Sequence, residues 1–157
     1  MLNLQPAASR EIDEITGFLR DCDLTVSGLD APSTRLWTLR EPAAGTMIAL
    51  TGFELSSDGS DALIRSVAVH PEYRGQRLGH RLAQFAVDEA RCAGASRAWL
   101  FSRRSGGFWQ KLGFTSTDVQ DLASALESTH QVKLFTQTGH LLNEVAWTRP
   151  LEPHAAD

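Results

Sequence analysis

A chain of 157 residues has the length of one domain and buries a core without help from disulfides or metal. Its formal net charge of −4, with no lysine-arginine run outside the segment around Arg74 and the pair Arg103-Arg104, argues against a nucleic-acid footprint. The two distant cysteines, Cys22 and Cys92, show neither metal nor redox spacing, no apolar stretch spans a bilayer and the N-terminus lacks a leader layout, so a soluble, cytoplasmic protein is expected.

Residues 2–5 alternate apolar and polar before Pro6, which predicts a short edge strand. A helix is expected from Ser9 as cap, with Glu11 and Asp13 in its first turn and Ile12, Ile15, Phe18 and Leu19 on one face. Residues 21–32 have little periodicity and hold Gly28 and Pro32, so they read as a loop or broken helix that shapes a substrate entrance. Residues 36–39 and 46–55 are rich in β-formers on either side of a turn at 41–45, which predicts a hairpin. A second turn at 56–61 leads into a strand over 62–69 and completes an antiparallel meander.

From Leu78, the residues Leu82, Phe85, Ala86 and Ala90 recur at helical spacing up to Gly94, a suitable left-handed C-cap. The next strand, 97–101, follows a helix and is therefore free to lie parallel to 62–69. A short helix is expected over 108–112, ended by Gly113. Residues 121–135 show mostly helical intervals, while 129–132 also suit the start of a strand. A last strand is expected over 143–149, and 151–157 read as a frayed tail behind a single domain over 1–150.

The strand Val67-Ala68-Val69 runs through His70-Pro71-Glu72-Tyr73 into Arg74-Gly75-Gln76-Arg77-Leu78-Gly79-His80 at the head of a helix. A helix start leaves its first four N–H groups unpartnered and partly positive, so a diphosphate set there gains hydrogen bonds and dipole stabilisation together. Gly75 opens the backbone to a phosphate oxygen, and Arg74 adds a charge-assisted contact. The alternative is that Gly75 and Gly79 serve only a tight turn and close helix packing.

These residues resemble the acetyl-CoA-binding segment of the GNAT acetyltransferase superfamily, whose pattern is Arg/Gln-x-x-Gly-x-Gly/Ala. Arg74 and Gly79 match it, and Arg77 stands where the family has its first glycine. The resemblance is strongest from Ala62 to Phe114. It implies an α/β (α+β) fold with a mixed, mostly antiparallel twisted sheet, flanking helices and splayed central parallel strands. It also implies acetyl-CoA as co-substrate, with a pantetheine arm entering between strands 62–69 and 97–101 and bonded by the backbone of Val67 and Val69. The cofactor contacts expected on this basis are Val67, Ala68, Val69, Arg74, Gly75, Gln76, Arg77, Leu78, Gly79, His80 and Trp109. A homodimer is implied by analogy with members that join sheets or exchange C-terminal strands.

Acetyl transfer to an amine needs a neutral nucleophile, a polarised carbonyl and a leaving thiolate. The Val67 N–H is expected to stabilise the oxyanion. Glu54, near the end of its strand, is the candidate base, acting directly or through water; otherwise it is an ordinary exposed glutamate. Arg65 is the candidate for gripping a substrate carboxylate in a forked contact, with pairing to a surface acid as the alternative. Many family members carry a tyrosine five residues before the Phe of Lys-Leu-Gly-Phe, where it protonates the thiolate. Here that place is Trp109, whose indole donates a hydrogen bond without delivering a proton; Ser102, Ser105 or water are the substitutes.

The five histidines share no metal spacing and no metal is expected; His80 lies near the phosphates and His130 near the presumed acceptor end. Neither cysteine falls near the expected thioester, so attack is expected to be direct. The segment 101–114 is also similar to GNAT members acting on amino acids, including small arsenic-resistance-associated proteins. The leading reading is an N-acetyltransferase for a small primary amine. The alternatives are a non-catalytic acyl-CoA-sensing module and an acetyltransferase for protein N-termini or lysines.

Overall fold

The computed structural model describes residues 2–75 and 77–152. Long runs of β-branched and apolar residues build one sheet from β1 (Gln5–Pro6), β2 (Thr34–Arg40), β3 (Met47–Leu55), β4 (Asp61–Val69), β5 (Arg97–Phe101), β6 (Thr115–Thr117) and β7 (Ala146–Pro150). Its order is β1-β2-β3-β4-β5-β7-β6, and every pairing is antiparallel except β4 with β5. The parallel pair is possible because α2 (Leu78–Cys92) carries the chain back over the sheet.

Alternation along β4 decides which face each side chain meets. Ala62 and Ile64 join the cluster under α2, while Leu63 points to the opposite layer. At Ser66, whose φ is +62°, the register with β3 slips between Leu50↔Ala68 and Gly52↔Arg65. One extra residue reverses the phase, so Val67 and Val69 face α2 and Ala68 joins Leu63 on the other side.

The two layers are filled differently. Ala83, Ala86 and Ala90 let α2 lie close against Phe53, Ala62 and Ile64. Opposite, α1 (Ile12–Asp21) buries Ile15 and Leu19 against Leu36, Leu50 and Ala68. Further along that face, α4 (Val119–Ala125) and α5 (His130–Thr138) cover Leu63 and Trp99 with Leu122 and Val132. Among the described residues, no helix is long and apolar enough to cross a membrane.

Several boundaries differ from expectation. The edge pairing falls at Gln5 and Pro6, opposite Thr38 and Trp37, because a proline on an edge strand forfeits no ladder bond that the sheet needs. Ser9 is not a cap: a 3₁₀ turn over Ser9–Glu11 precedes α1, and the Glu11 carboxylate accepts the Ala8 N–H at 2.7 Å. The short helix α3 (Gly106–Lys111) starts two residues early. The ambiguous segment resolves as helix on both sides of a break, with the Asp118 carboxylate capping α4 through the Gln120 N–H at 2.8 Å. Leu151 is not tail: it is buried, and its N–H donates to the Ser96 carbonyl at 2.9 Å. The rest of the expected tail, 153–157, lies outside the described residues.

Candidate active site

The sheet divides at its parallel pair. β4 and β5 are in register only at Asp61↔Arg97, Ala62↔Ala98 and Leu63↔Trp99. Beyond that point β4 follows β3 to Val69, while β5 follows β7 to Phe101. The twist of the bulge at Ser66 widens the wedge. A cavity of ≈ 1010 Å³ opens there, walled by β4 from Ile64 to Val69 and by Leu100, Phe101 and Ser102.

At one end of the cavity the wall is the start of α2. Leu78, Gly79 and His80, in the first turn of α2, line it, and Arg74, Gly75 and Arg77 complete the rim. Gly75 has a φ of +90°, and a Cβ built there would meet nothing within 4 Å, so the turn itself and not crowding requires glycine. Arg77 caps α2 from the left-handed region, at φ +58°, with no side-chain cap hydrogen bond. An arginine in a backbone setting suited to glycine is strained by about 1–2 kcal/mol. Arg74 folds back so that its Nε donates to the Val69 carbonyl at 3.0 Å. Gln76, expected among these contacts, lies outside the described residues.

The opposite end carries a buried charge cluster. Arg65 lines the cavity with its side chain 1% exposed, and Glu54 behind it is fully buried. Glu54 is thus neither an exposed strand glutamate nor part of the described cavity wall. Its Oε1 accepts from Arg65 Nη1 at 3.3 Å; its Oε2 accepts from the Ser33 hydroxyl at 3.2 Å and from the backbone N–H of His130 at 2.8 Å. His130 Nδ1 lies 2.8 Å from the same Oε2. Arg65 also donates from Nη2 to the Thr25 carbonyl and from Nε to the Ser66 hydroxyl, each at 3.3 Å. Burial pushes the Arg65 guanidinium below its usual range, against the pull of Glu54.

Between these ends lie the residues expected to meet the sulfur. The Ser102 hydroxyl accepts the Ser105 N–H at 3.1 Å ahead of α3 and lines the cavity. Trp109 lines the cavity and packs edge-on against Phe114, 5.5 Å between ring centres. Lys111, Thr25 and Gln131 are wall residues that the sequence did not single out. Cys22 also lines the cavity, at the end where Arg74 stands and not beside Val67 and Ser102, where the thioester is expected. The chain after α1 folds back against the end of β4, and Cys22 Sγ sits 4.0 Å from Arg74 Nη2, at the rim.

The Acetyltransferase (GNAT) family pattern matches residues 3–114. An amino-acid acetyltransferase of Enterobacter sp. (strain 638) is 38% identical over 56 residues, 36% of this chain but only 13% of that protein. An IAA acetyltransferase of Azospirillum brasilense is 29% identical over 104 residues, 62% of this chain and 67% of that one. The N-acetylglutamate synthase of Neisseria gonorrhoeae, solved with coenzyme A and N-acetyl-glutamate, superposes with a TM-score of 0.75 at 20% identity over 97% of this chain and 36% of its own. A Mycobacterium tuberculosis structure with CoA and NLQ gives 0.72 at 16% identity over 95% of this chain and 99% of its own. With the family pattern matched over most of its length and a parallel pair that parts to open a cavity, the chain belongs to the GNAT acetyltransferase family.

Proposed function

We propose that this protein moves the acetyl group of acetyl-CoA to the amine of a small, carboxylate-bearing acceptor, an amino acid or a compound like one, by direct attack. The observation that carries the reading is the sign of the cavity wall. Arg65, Arg74, Arg77 and Lys111 lie on it, and among the described residues it holds no aspartate or glutamate, in a chain of net charge −4. Such a wall attracts a diphosphate at one end and a carboxylate at the other, and it repels polycations.

Acetyl-CoA suits these residues because unpartnered N–H groups, a glycine turn and two arginines converge at the start of α2. It supplies an acetyl group already activated as a thioester. In this reading Arg74, Arg77 and the first amides of α2 hold the diphosphate, and the backbone of Val67 and Val69 bonds the pantetheine arm. The Val67 N–H meets the oxyanion, and the Trp109 indole and Ser102 hydroxyl donate to the departing sulfur. Arg65 uses three of its five N–H groups, all in long contacts, which leaves donors for an acceptor carboxylate. The amine must be neutral to attack, and with Glu54 withdrawn from the wall its proton leaves to water. The position of Cys22 beside Arg74 at the rim supports attack without an acyl-enzyme.

Thiol release from acetyl-CoA, measured against the twenty L-amino acids, their decarboxylated amines and polyamines, tests this. At least one amino acid is expected to be acetylated, with a preference of about tenfold or more over its decarboxylated amine. Arg65→Met removes that preference and Arg65→Lys keeps part of it. Acetyl-CoA binding with no turnover of any amine across pH 6–9 would return the sensing reading, and better turnover of protein lysines or polyamines would assign a different acceptor.

A further inference from the structure

We infer that His130 is a positioning residue for the acceptor carboxylate, acting through Glu54 on Arg65. The inference deepens the carboxylate reading above and rests on it. The two oxygens of Glu54 are unequally shared: Oε2 takes the His130 N–H and Nδ1, each at 2.8 Å, and the Ser33 hydroxyl, while Oε1 takes only Arg65 Nη1 at 3.3 Å. An ionised carboxylate accepts and never donates, so Nδ1 carries the proton toward Glu54.

The imidazole is held on its other side by backbone. Gly28 has a φ of +70°, and a Cβ there would lie 2.4 Å from His130 Cγ, so the ring occupies space that only glycine leaves open. The next residue, Gln131, is on the cavity wall, where its Nε2 donates to the Thr25 hydroxyl at 3.0 Å. The Thr25 carbonyl in turn accepts from Arg65. A closed circuit therefore runs from Arg65 through Glu54, His130, Gln131 and Thr25 back to Arg65, tying β3, β4, α5 and the segment after α1 together. Gln131 Oε1 is buried in it with no hydrogen-bond partner among the described residues.

The circuit matters because of what Glu54 does without it. A carboxylate with both oxygens available closes a two-bonded fork on a guanidinium, the stronger geometry. The His130 imidazole is the part of that Oε2 shell that substitution can remove without touching the backbone N–H or Ser33, and with it Glu54 is kept to one long contact, which leaves N–H groups of Arg65 for the acceptor. The charged groups facing the imidazole's carboxylate partner are Arg65 alone among the described contacts, so the effect is one of hydrogen-bond supply and not of accumulated charge.

The test is steady-state kinetics on the full chain with the L-amino acid that the wild-type protein acetylates best. His130→Leu, which removes the Nδ1 donor, is expected to raise the acceptor KM about tenfold with kcat within about twofold and the acetyl-CoA KM unchanged, the last showing an intact fold. His130→Asn, whose amide nitrogen reaches the place of Nδ1, is expected to restore the KM to within about twofold. An unchanged KM in His130→Leu overturns the inference. So does a His130→Asn variant as impaired as His130→Leu that also loses the acid limb of its pH profile, since the imidazole would then carry the proton itself. Failure of the wild-type protein to acetylate any amino acid is a separate result and overturns the carboxylate reading.

Discussion

At the scale of single residues, the fully buried Glu54 is paired with Arg65, whose side chain is 1% exposed where it borders the cavity. Desolvating both is costly, and each is tolerated only while the other is present. Glu54→Ala is therefore expected to lower stability by about 3–5 kcal/mol in urea unfolding, because it leaves the guanidinium buried and uncompensated. Replacing both residues by methionine is expected to cost less than the single change. A single change that costs no more than the double would contradict the pairing. Arg77 presents the opposite case, a residue whose backbone is strained in the free protein. Arg77→Gly is expected to raise the melting temperature by removing about 1–2 kcal/mol of left-handed strain. The same change is expected to weaken CoA binding about tenfold in calorimetry by removing a charge-assisted contact. Tighter CoA binding by the glycine variant would show that Arg77 only obstructs the cradle.

At the scale of elements, α1 is tied to the end of β2 by one arginine. Arg40 bonds Glu11 at 2.8 Å and Glu14 at 2.6 Å. The Glu11 carboxyl is held below its usual range first by the Ala8 N–H and then by Arg40, and Glu14 is held low by Arg40. Because the folded state lowers both pKa values, the stabilisation is complete above the ordinary carboxylate value of 4.5 and fades as pH falls through the lowered ones. Thermal melts of Arg40→Ala are therefore expected to fall below those of the wild-type protein at pH 7, with the gap closing toward pH 3. A gap of constant size would mean that Arg40 acts through packing of its stem. The groups are partly exposed, so the gap at neutral pH is modest.

At the scale of the whole molecule, the sequence was most legible where one element carries its own signal. The strand ending at Val69, the helix that starts at Leu78 and the parallel strand that begins at Arg97 follow from local pattern. What the pattern could not show was set by register and by distant partners. Ser66 does not announce a bulge, yet its slip decides that Val67 and Val69 turn toward α2. The place of Glu54 on β3 is legible in the pattern, but its burial depends on Arg65 across the ladder and on His130, 76 residues away in sequence. The break between α4 and α5 was ambiguous because Thr129 suits both a strand and a helix start, and docking of Leu122 and Val132 on Leu63 decides it. Gln131 and Lys111 carry no local mark of function; only the way the chain folds brings them to the wall.

The central claim, that the wedge between β4 and β5 receives the cofactor's arm while the head of α2 grips its diphosphate, is tested most directly by a crystal structure of the full chain with CoA. The account predicts diphosphate density against the amides of Leu78, Gly79 and His80 with Arg74 and Arg77 alongside, and a thiol reaching between Val67 and Ser102 toward Arg65. CoA seated elsewhere, or β4 and β5 zipped together beyond Leu63 and Trp99 so that no opening remains, would contradict it.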